Sequence, residues 1–140
     1  MVLLYKKVLR KHPRTKLSKY YPVLKSLKLV RQGDVAKLIS DETTLNPKEA
    51  EMALAQLEKV LVRLLLQGYT VQLGEWASFY VTAPCEGSET EEGCTSALIK
   101  CVRAHCRFTP KFREQLKRAE FKLAESLLRK SGKAGGEEGE

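Results

Sequence analysis

The side chains in this sequence that could bind a metal or move a proton are four cysteines, two histidines and a run of glutamates. The cysteines stand at 85, 94, 101 and 106, separated by eight, six and four residues. Structural zinc sites usually start from closer pairs held in tight turns. Cys101, His105 and Cys106 make the best zinc grouping. His105 and Cys106 are adjacent, however, and on a strand they point to opposite faces. No metal and no cofactor are expected. With no secretory signal to suggest a disulfide framework, the thiols read as reduced, small apolar residues. His12 and His105 lie in different basic segments. No serine sits in a nucleophile elbow, and no glycine-rich loop has phosphate- or dinucleotide-binding spacing. Glu89, Glu91 and Glu92 fall in a turn-rich stretch and read as a solvated acidic loop rather than a catalytic pair. An enzyme with a small-molecule substrate is not expected.

The chemistry the sequence does favour is that of charge. The chain has 140 residues, 25 of them basic and 17 acidic, for a net charge of +8. Residues 1–33 hold ten Lys or Arg and no acid; residues 34–96 hold four basic and eleven acidic residues; residues 97–133 hold eleven basic and three acidic. Two basic segments flanking an acidic one point to an anionic partner, nucleic acid first and a membrane surface second. The alternative is a solvated surface kept soluble by charge. No apolar run approaches the roughly 18 residues of a membrane span, and no export signal is read at the N-terminus. The expected location is cytoplasmic, at the nucleoid, with no membrane partner. A hydrophobic content of 43% allows a core, and the length suits one domain.

The elements that would position these charges can be read in order. Val2 to Leu9 and Tyr20 to Leu24 are β-compatible, separated by His12-Pro13-Arg14-Thr15; a basic hairpin and a flexible basic arm both fit. Asp34 can cap a short helix carrying Val35, Leu38 and Ile39. Asn46-Pro47-Lys48-Glu49 is a strong helix start, with Asn46 as N-cap, Pro47 in the first turn and Glu49 completing a capping box. That helix should run to about Gln67, with Gly68 ending it. Its stripe of Ala50, Leu54, Leu57, Leu61 and Leu64 is widened by Met52, Ala53, Val60 and Leu65 beyond what the short first helix can cover. Burial against a second copy is the favoured explanation, and burial under the chain's own sheet is the alternative. The period then changes to two: Val71 and Leu73, a break at Gly74, and Trp76 to Val81 predict two strands. Residues 83–96 form a long acidic connection, and strand character returns from Leu98 to Phe108. Thr109-Pro110 opens a last helix with Phe112, Leu116, Ala119, Leu123 and Leu127 on one face. Residues 131–140 are expected to be disordered.

This order, with Val71-Gln72-Leu73-Gly74-Glu75-Trp76-Ala77-Ser78-Phe79-Tyr80-Val81 and Phe108-Thr109-Pro110-Lys111, resembles the HU and integration host factor family of bacterial DNA-binding proteins. The resemblance covers roughly residues 34–125. Residues 1–33 are similar to the N-terminal extension of Bacteroidetes HU-like proteins. It implies an α+β fold: two N-terminal helices, a three-stranded antiparallel sheet with a protruding arm, a C-terminal helix, and an intertwined homodimer. The domain reading is a basic extension over 1–33, an HU-like domain over 34–130 and a tail over 131–140. The family grips the minor groove of double-stranded DNA, and a proline near each arm tip wedges between base pairs. The resemblance puts Phe79, Phe108 and Trp76 at the dimer centre, beside the stripe residues Leu54, Leu57 and Leu61. It gives Thr109 and Lys111 a phosphate contact at the helix start, which also suits an anion on physical grounds.

One segment departs from the family. Thr82 to Ser96 contains no Lys or Arg and four Glu, where the family arm is basic. The DNA-binding load is therefore expected on Lys6, Lys7, Arg10, Lys11, Arg14, Lys16 and Lys19, and on Lys100, Arg103, Arg107, Lys111 and Arg113 with Thr109. Arg103 and Arg107 share strand parity with His105, which would make one basic face. The expected function is non-enzymatic, mostly sequence-independent duplex binding with a nucleoid-architectural role, driven by phosphate neutralisation. The alternative is an HU-fold interaction module whose acidic arm binds protein partners.

Overall fold

The computed structural model describes residues 1–124 of the chain. In chain order its elements are β1 (Val2–Lys11), β2 (Ser18–Leu24), α1 (Gln32–Glu42), α2 (Pro47–Leu66), β3 (Val71–Leu73), β4 (Ala77–Thr82), one turn of 3-10 helix at Ser96–Leu98, β5 (Arg103–Phe108), α3 (Pro110–Leu116) and β6 (Glu120–Leu123). They fall into two compact units, Met1–Leu29 with the described residues from Lys117 onward, and Val30–Leu116.

The first unit is a three-stranded sheet of order β2-β1-β6. β1 and β2 pair antiparallel from Tyr5↔Leu24 to Lys11↔Ser18. Their turn closes through His12 N–H donating to Leu17 O at 2.9 Å and Lys16 N–H donating to His12 O at 3.1 Å. The His12 ring completes it: Nδ1 accepts from the N–H groups of Arg14 (3.2 Å) and Thr15 (3.3 Å). Lys16 leaves the turn with φ of 54°, a left-handed conformation that is costly for a residue with a Cβ. β6 joins β1 in parallel, with Leu3 beside Phe121 and Tyr5 beside Leu123.

That strand corrects the expected last helix. α3 ends at Leu116, and residues 120–123 are extended rather than helical. Glu120-Phe121-Lys122-Leu123 alternates polar and apolar residues, which suits a strand as well as the helical stripe it also satisfies. Pairing with β1, over a hundred residues away in sequence, decides between them. Leu127 and the tail 131–140 lie outside the described residues.

In the second unit α2 starts and stops as its sequence dictates. Asn46 Oδ1 accepts from Glu49 N–H at 2.9 Å, and Glu49 Oε2 accepts from Asn46 N–H at 3.1 Å. At the other end Gly68 has φ of +84°. Gly68 N–H donates to Leu65 O and Tyr69 N–H to Leu64 O, at 3.0 and 3.1 Å, the paired bonds of a Schellman motif. α1 begins three residues earlier than expected. Arg31 is its N-cap, and Asp34 sits within the first turn, its Oδ2 accepting from Arg31 N–H at 3.1 Å. The carboxylate still satisfies an N-terminal donor, from the N3 position instead of the cap.

β3, β4 and β5 form an antiparallel sheet in that order. Gly74, with φ of 53°, makes the turn between β3 and β4. β5 is shorter than expected. It begins at Arg103, and Leu98 lies in the 3-10 turn. The side chains fully buried among the described residues are Ala36, Ala50 and Ala77, with no large one among them. Small residues let the backbones meet, while the larger apolar groups stay half covered or exposed.

Candidate nucleic-acid interface

Pairing of β4 with β5 sorts their side chains into two unlike faces. Ser78↔Arg107, Tyr80↔His105 and Thr82↔Arg103 lie on one; Ala77↔Phe108, Phe79↔Cys106 and Val81↔Ala104 lie on the other. The polar face is ordered by its own contacts. The rings of Tyr80 and His105 stack with centroids 5.2 Å apart. The Arg107 guanidinium lies 5.6 Å from the Tyr80 ring centre, and Thr82 Oγ1 shares a 2.7 Å hydrogen bond with His105 Nε2. Thr70, Ser78, Tyr80 and Arg107 line a depression on the same sheet. Among the described residues, no carboxylate pairs with Arg103 or Arg107. Two cations therefore stand two residues either side of His105 on this polar face, with their charge available to an incoming anion.

The other expected cations of this unit differ. Lys100 pairs with Glu86 at 2.5 Å, both side chains well exposed, and Lys111 pairs with Glu75. Thr109 caps α3 by accepting from Phe112 N–H at 3.3 Å, and it donates to Glu75 O at 2.6 Å. Its hydroxyl is occupied by the fold. Arg113 is exposed on α3.

The connection between β4 and β5 continues their ladder. Lys100 N–H donates to Pro84 O at 3.1 Å, Glu86 N–H donates to Leu98 O at 3.2 Å, and Cys85 bridges Ile99. Three steps from Thr82 to Cys85 oppose four from Ile99 to Arg103, so the returning limb carries one extra residue, a β-bulge. Beyond it Glu89, Glu91 and Glu92 are exposed. All four cysteines are free and exposed, which corrects their reading as small apolar residues: three lie along this two-stranded connection, where no second layer among the described residues covers them. Cys106 lies beside Phe79, opposite in facing to His105. Among the described residues no His, Cys, Asp and Glu side chains gather in a group able to hold a metal ion.

In the first unit the expected cations divide by strand parity. Lys6, Arg10 and Lys19 share a face with Lys122 of β6, whereas Lys7 and Lys11 lie on the opposite one. Arg10 and Lys19 are direct cross-strand partners, and Arg14 and Lys16 occupy the turn. Lys122 was not among the expected contacts, since only the distant pairing of β6 brings it here. Tyr80 and Thr82 were missed too, although their alternation with Phe79 and Val81 placed them with Arg103, His105 and Arg107.

On the apolar side, Trp76 meets Phe79 edge-on at 6.3 Å and Phe112 at 6.3 Å, and Phe108 stacks on Phe112 at 4.9 Å. Trp76 is nevertheless 44% exposed and Phe108 41%. On α2, Leu54 and Leu61 are half-buried and Leu57 is exposed. No helix among the described residues is long and apolar enough to cross a membrane.

Comparison with known proteins gives two matches of interest. Residues 1–123 match the HU-HIG family model, described as an HU domain fused to wHTH, Ig, or glycine-rich motif. The fold is similar to the crystal structure of a candidate bacterial DNA-binding protein from Bacteroides vulgatus ATCC 8482. The TM-score is 0.59 at 12% identity, over 88% of this chain and 48% of that one. The chain thus spans about half the length of that protein. No curated protein matches the sequence.

Proposed function

The chain belongs to the HU-HIG family, and on that premise we propose that it binds double-stranded DNA without catalysis. The observation that carries the proposal is the polar face of β4 and β5, where Arg103 and Arg107 flank His105 with no carboxylate partner among the described residues. Neutralising phosphates there releases counterions, which favours binding whatever the base sequence. Lys6, Arg10, Lys19 and Lys122 form a second cationic face in the other unit, which Glu120 shares, with Arg14 and Lys16 in its turn. Lys100 and Lys111 contribute less, because Glu86 and Glu75 already offset their charge. Arg113 adds an exposed cation on α3, whereas the Thr109 hydroxyl is held by Glu75 and Phe112. A histone-like role in nucleoid architecture follows from binding of this kind.

The functional unit we propose is a homodimer. Among the described residues only three alanines are fully buried, and the α2 stripe of Leu54, Leu57 and Leu61 stays partly open, as do Trp76, Phe79 and Phe108. A second copy would cover that surface, and exposed apolar area of this extent is otherwise a liability. The acidic connection at 86–92 favours a second reading, an interaction module whose glutamates meet a basic protein partner.

The test is a salt titration of binding to a random-sequence 30-base-pair duplex. Each phosphate contact contributes about 0.9 to the slope of log affinity against log salt. The double variant Arg103→Gln/Arg107→Gln should lower that slope by about 1.8 per protomer. A parent protein with no salt-sensitive duplex binding sinks the DNA reading and leaves the interaction module.

A further inference from the structure

The sheet β2-β1-β6 has a second face, opposite to Lys6, Arg10 and Lys19, that the duplex contact proposed above leaves unused. By register Tyr5, Tyr20 and Phe121 stand on it with Lys7 and Lys11. Tyr20 is 72% exposed and Phe121 61%. Between them Tyr5, Pro22, Leu24 and Phe121 line a half-open cleft of about 450 Å³. The strand residues on this face include no Asp or Glu. Aromatic rings left this open on a sheet gain little for the fold, since most of their area stays in water.

The occupant must supply flat apolar groups and negative charge together. A second copy of the same face supplies the first but not the second, because it would bring Lys7 and Lys11 against another pair of lysines. A DNA duplex supplies charge but hides the faces of its bases within the stack. An unpaired strand offers both along its length. From Leu3 to Lys11 the face runs eight residues, about 27 Å, which is room for several nucleotides.

We propose that this face is a stacking platform for single-stranded nucleic acid, with bases on Tyr5, Tyr20 and Phe121 and phosphates on Lys7 and Lys11. Base stacking on aromatic side chains tolerates any sequence, because every base has a flat face. The cleft would hold one base between Tyr5 and Phe121, with Pro22 and Leu24 as its apolar floor. The platform is separate from the face carrying Arg103 and Arg107, so the two sites can be lost independently.

The test uses the full chain and fluorescently labelled dT20 and rU20, with binding followed by anisotropy. The parent should bind at least one of them, and the stronger names the preferred sugar. Tyr20→Ala and Phe121→Ala should each weaken that binding at least about fivefold and leave duplex affinity unchanged. Tyr20→Phe keeps the ring and should bind as the parent does. Lys7→Gln should lower the salt slope for the single strand by about 0.7. Both aromatic positions lie on outer strands and are exposed, so these variants should keep the parent's circular dichroism. Three outcomes overturn the proposal: no binding of either oligonucleotide, equal binding by parent and Tyr20→Ala, or a change of molecular mass by light scattering in the aromatic variants, which would make the face a contact between copies.

Discussion

Replacing Lys19 by Gln should make the protein more stable and a poorer DNA binder at once. Arg10 and Lys19 face each other directly across β1 and β2, and like charges in that position destabilise a ladder. Two unit charges held about 6 Å apart in water repel by about 0.7 kcal/mol, roughly halved by screening at 0.15 M salt. For a chain of this size that corresponds to a rise in melting temperature of about 1–3 °C at low salt. The gain should fade by 1 M salt, where the screening length is about 3 Å. The same substitution removes one cation from the face shared with Lys6 and Lys122, so the salt slope of duplex binding should fall by about 0.9. Scanning calorimetry at 20 mM and 1 M salt, with the duplex titration in parallel, reads both effects. An unchanged or lower melting temperature at 20 mM salt would show that the pair does not repel. An unchanged slope would show that this face does not meet DNA.

Two further outcomes are expected. Asn46→Ala removes the side-chain half of the capping box on α2 and should cost about 1 kcal/mol, measured by urea unfolding, with Asn46→Asp close to the parent. Phe79→Ala removes the ring that Trp76 meets edge-on, and if a second copy completes that cluster it should cost about 3–5 kcal/mol and shift the light-scattering mass toward the monomer. A mass unchanged at micromolar concentration would count against a dimer built on this surface.

What could be read from the sequence is what short-range chemistry decides. The Asn46-Pro47-Lys48-Glu49 start of α2, its end at Gly68 and the turn at Gly74 each depend on a few neighbouring residues, and the structure has all three. The common parity of Arg103, His105 and Arg107 needed only the two-residue repeat of a strand. The misses share a different cause. Leu116, Ala119 and Leu123 fit a helical spacing, yet residues 120–123 pair with the first strand of the chain, and nothing near them in sequence announces that partner. The hairpin of β1 and β2 competes in the sequence with a flexible basic arm, because Pro22 and the many lysines weaken its strand signal. The pairing of Lys111 with Glu75 and of Lys100 with Glu86 could not be read from composition, although it changes which cations are free.

The parallel pairing of β1 with β6 bears on how the protein is made. Val30–Leu116 lies wholly within the sequence gap between the two pieces of the other unit. A ribosome delivers β1 and β2 first, then all of α1 to α3, and only then the strand that completes the first sheet. Until then β1 presents an open edge, the kind that pairs with other chains. The intervening unit is compact by itself, and once folded it takes most of the residues out of the flexible loop that must be closed, which lowers the entropy cost. The lysines and arginines of β1 then have an early role: they keep an unfinished, edge-exposed sheet from joining its neighbours until its third strand emerges.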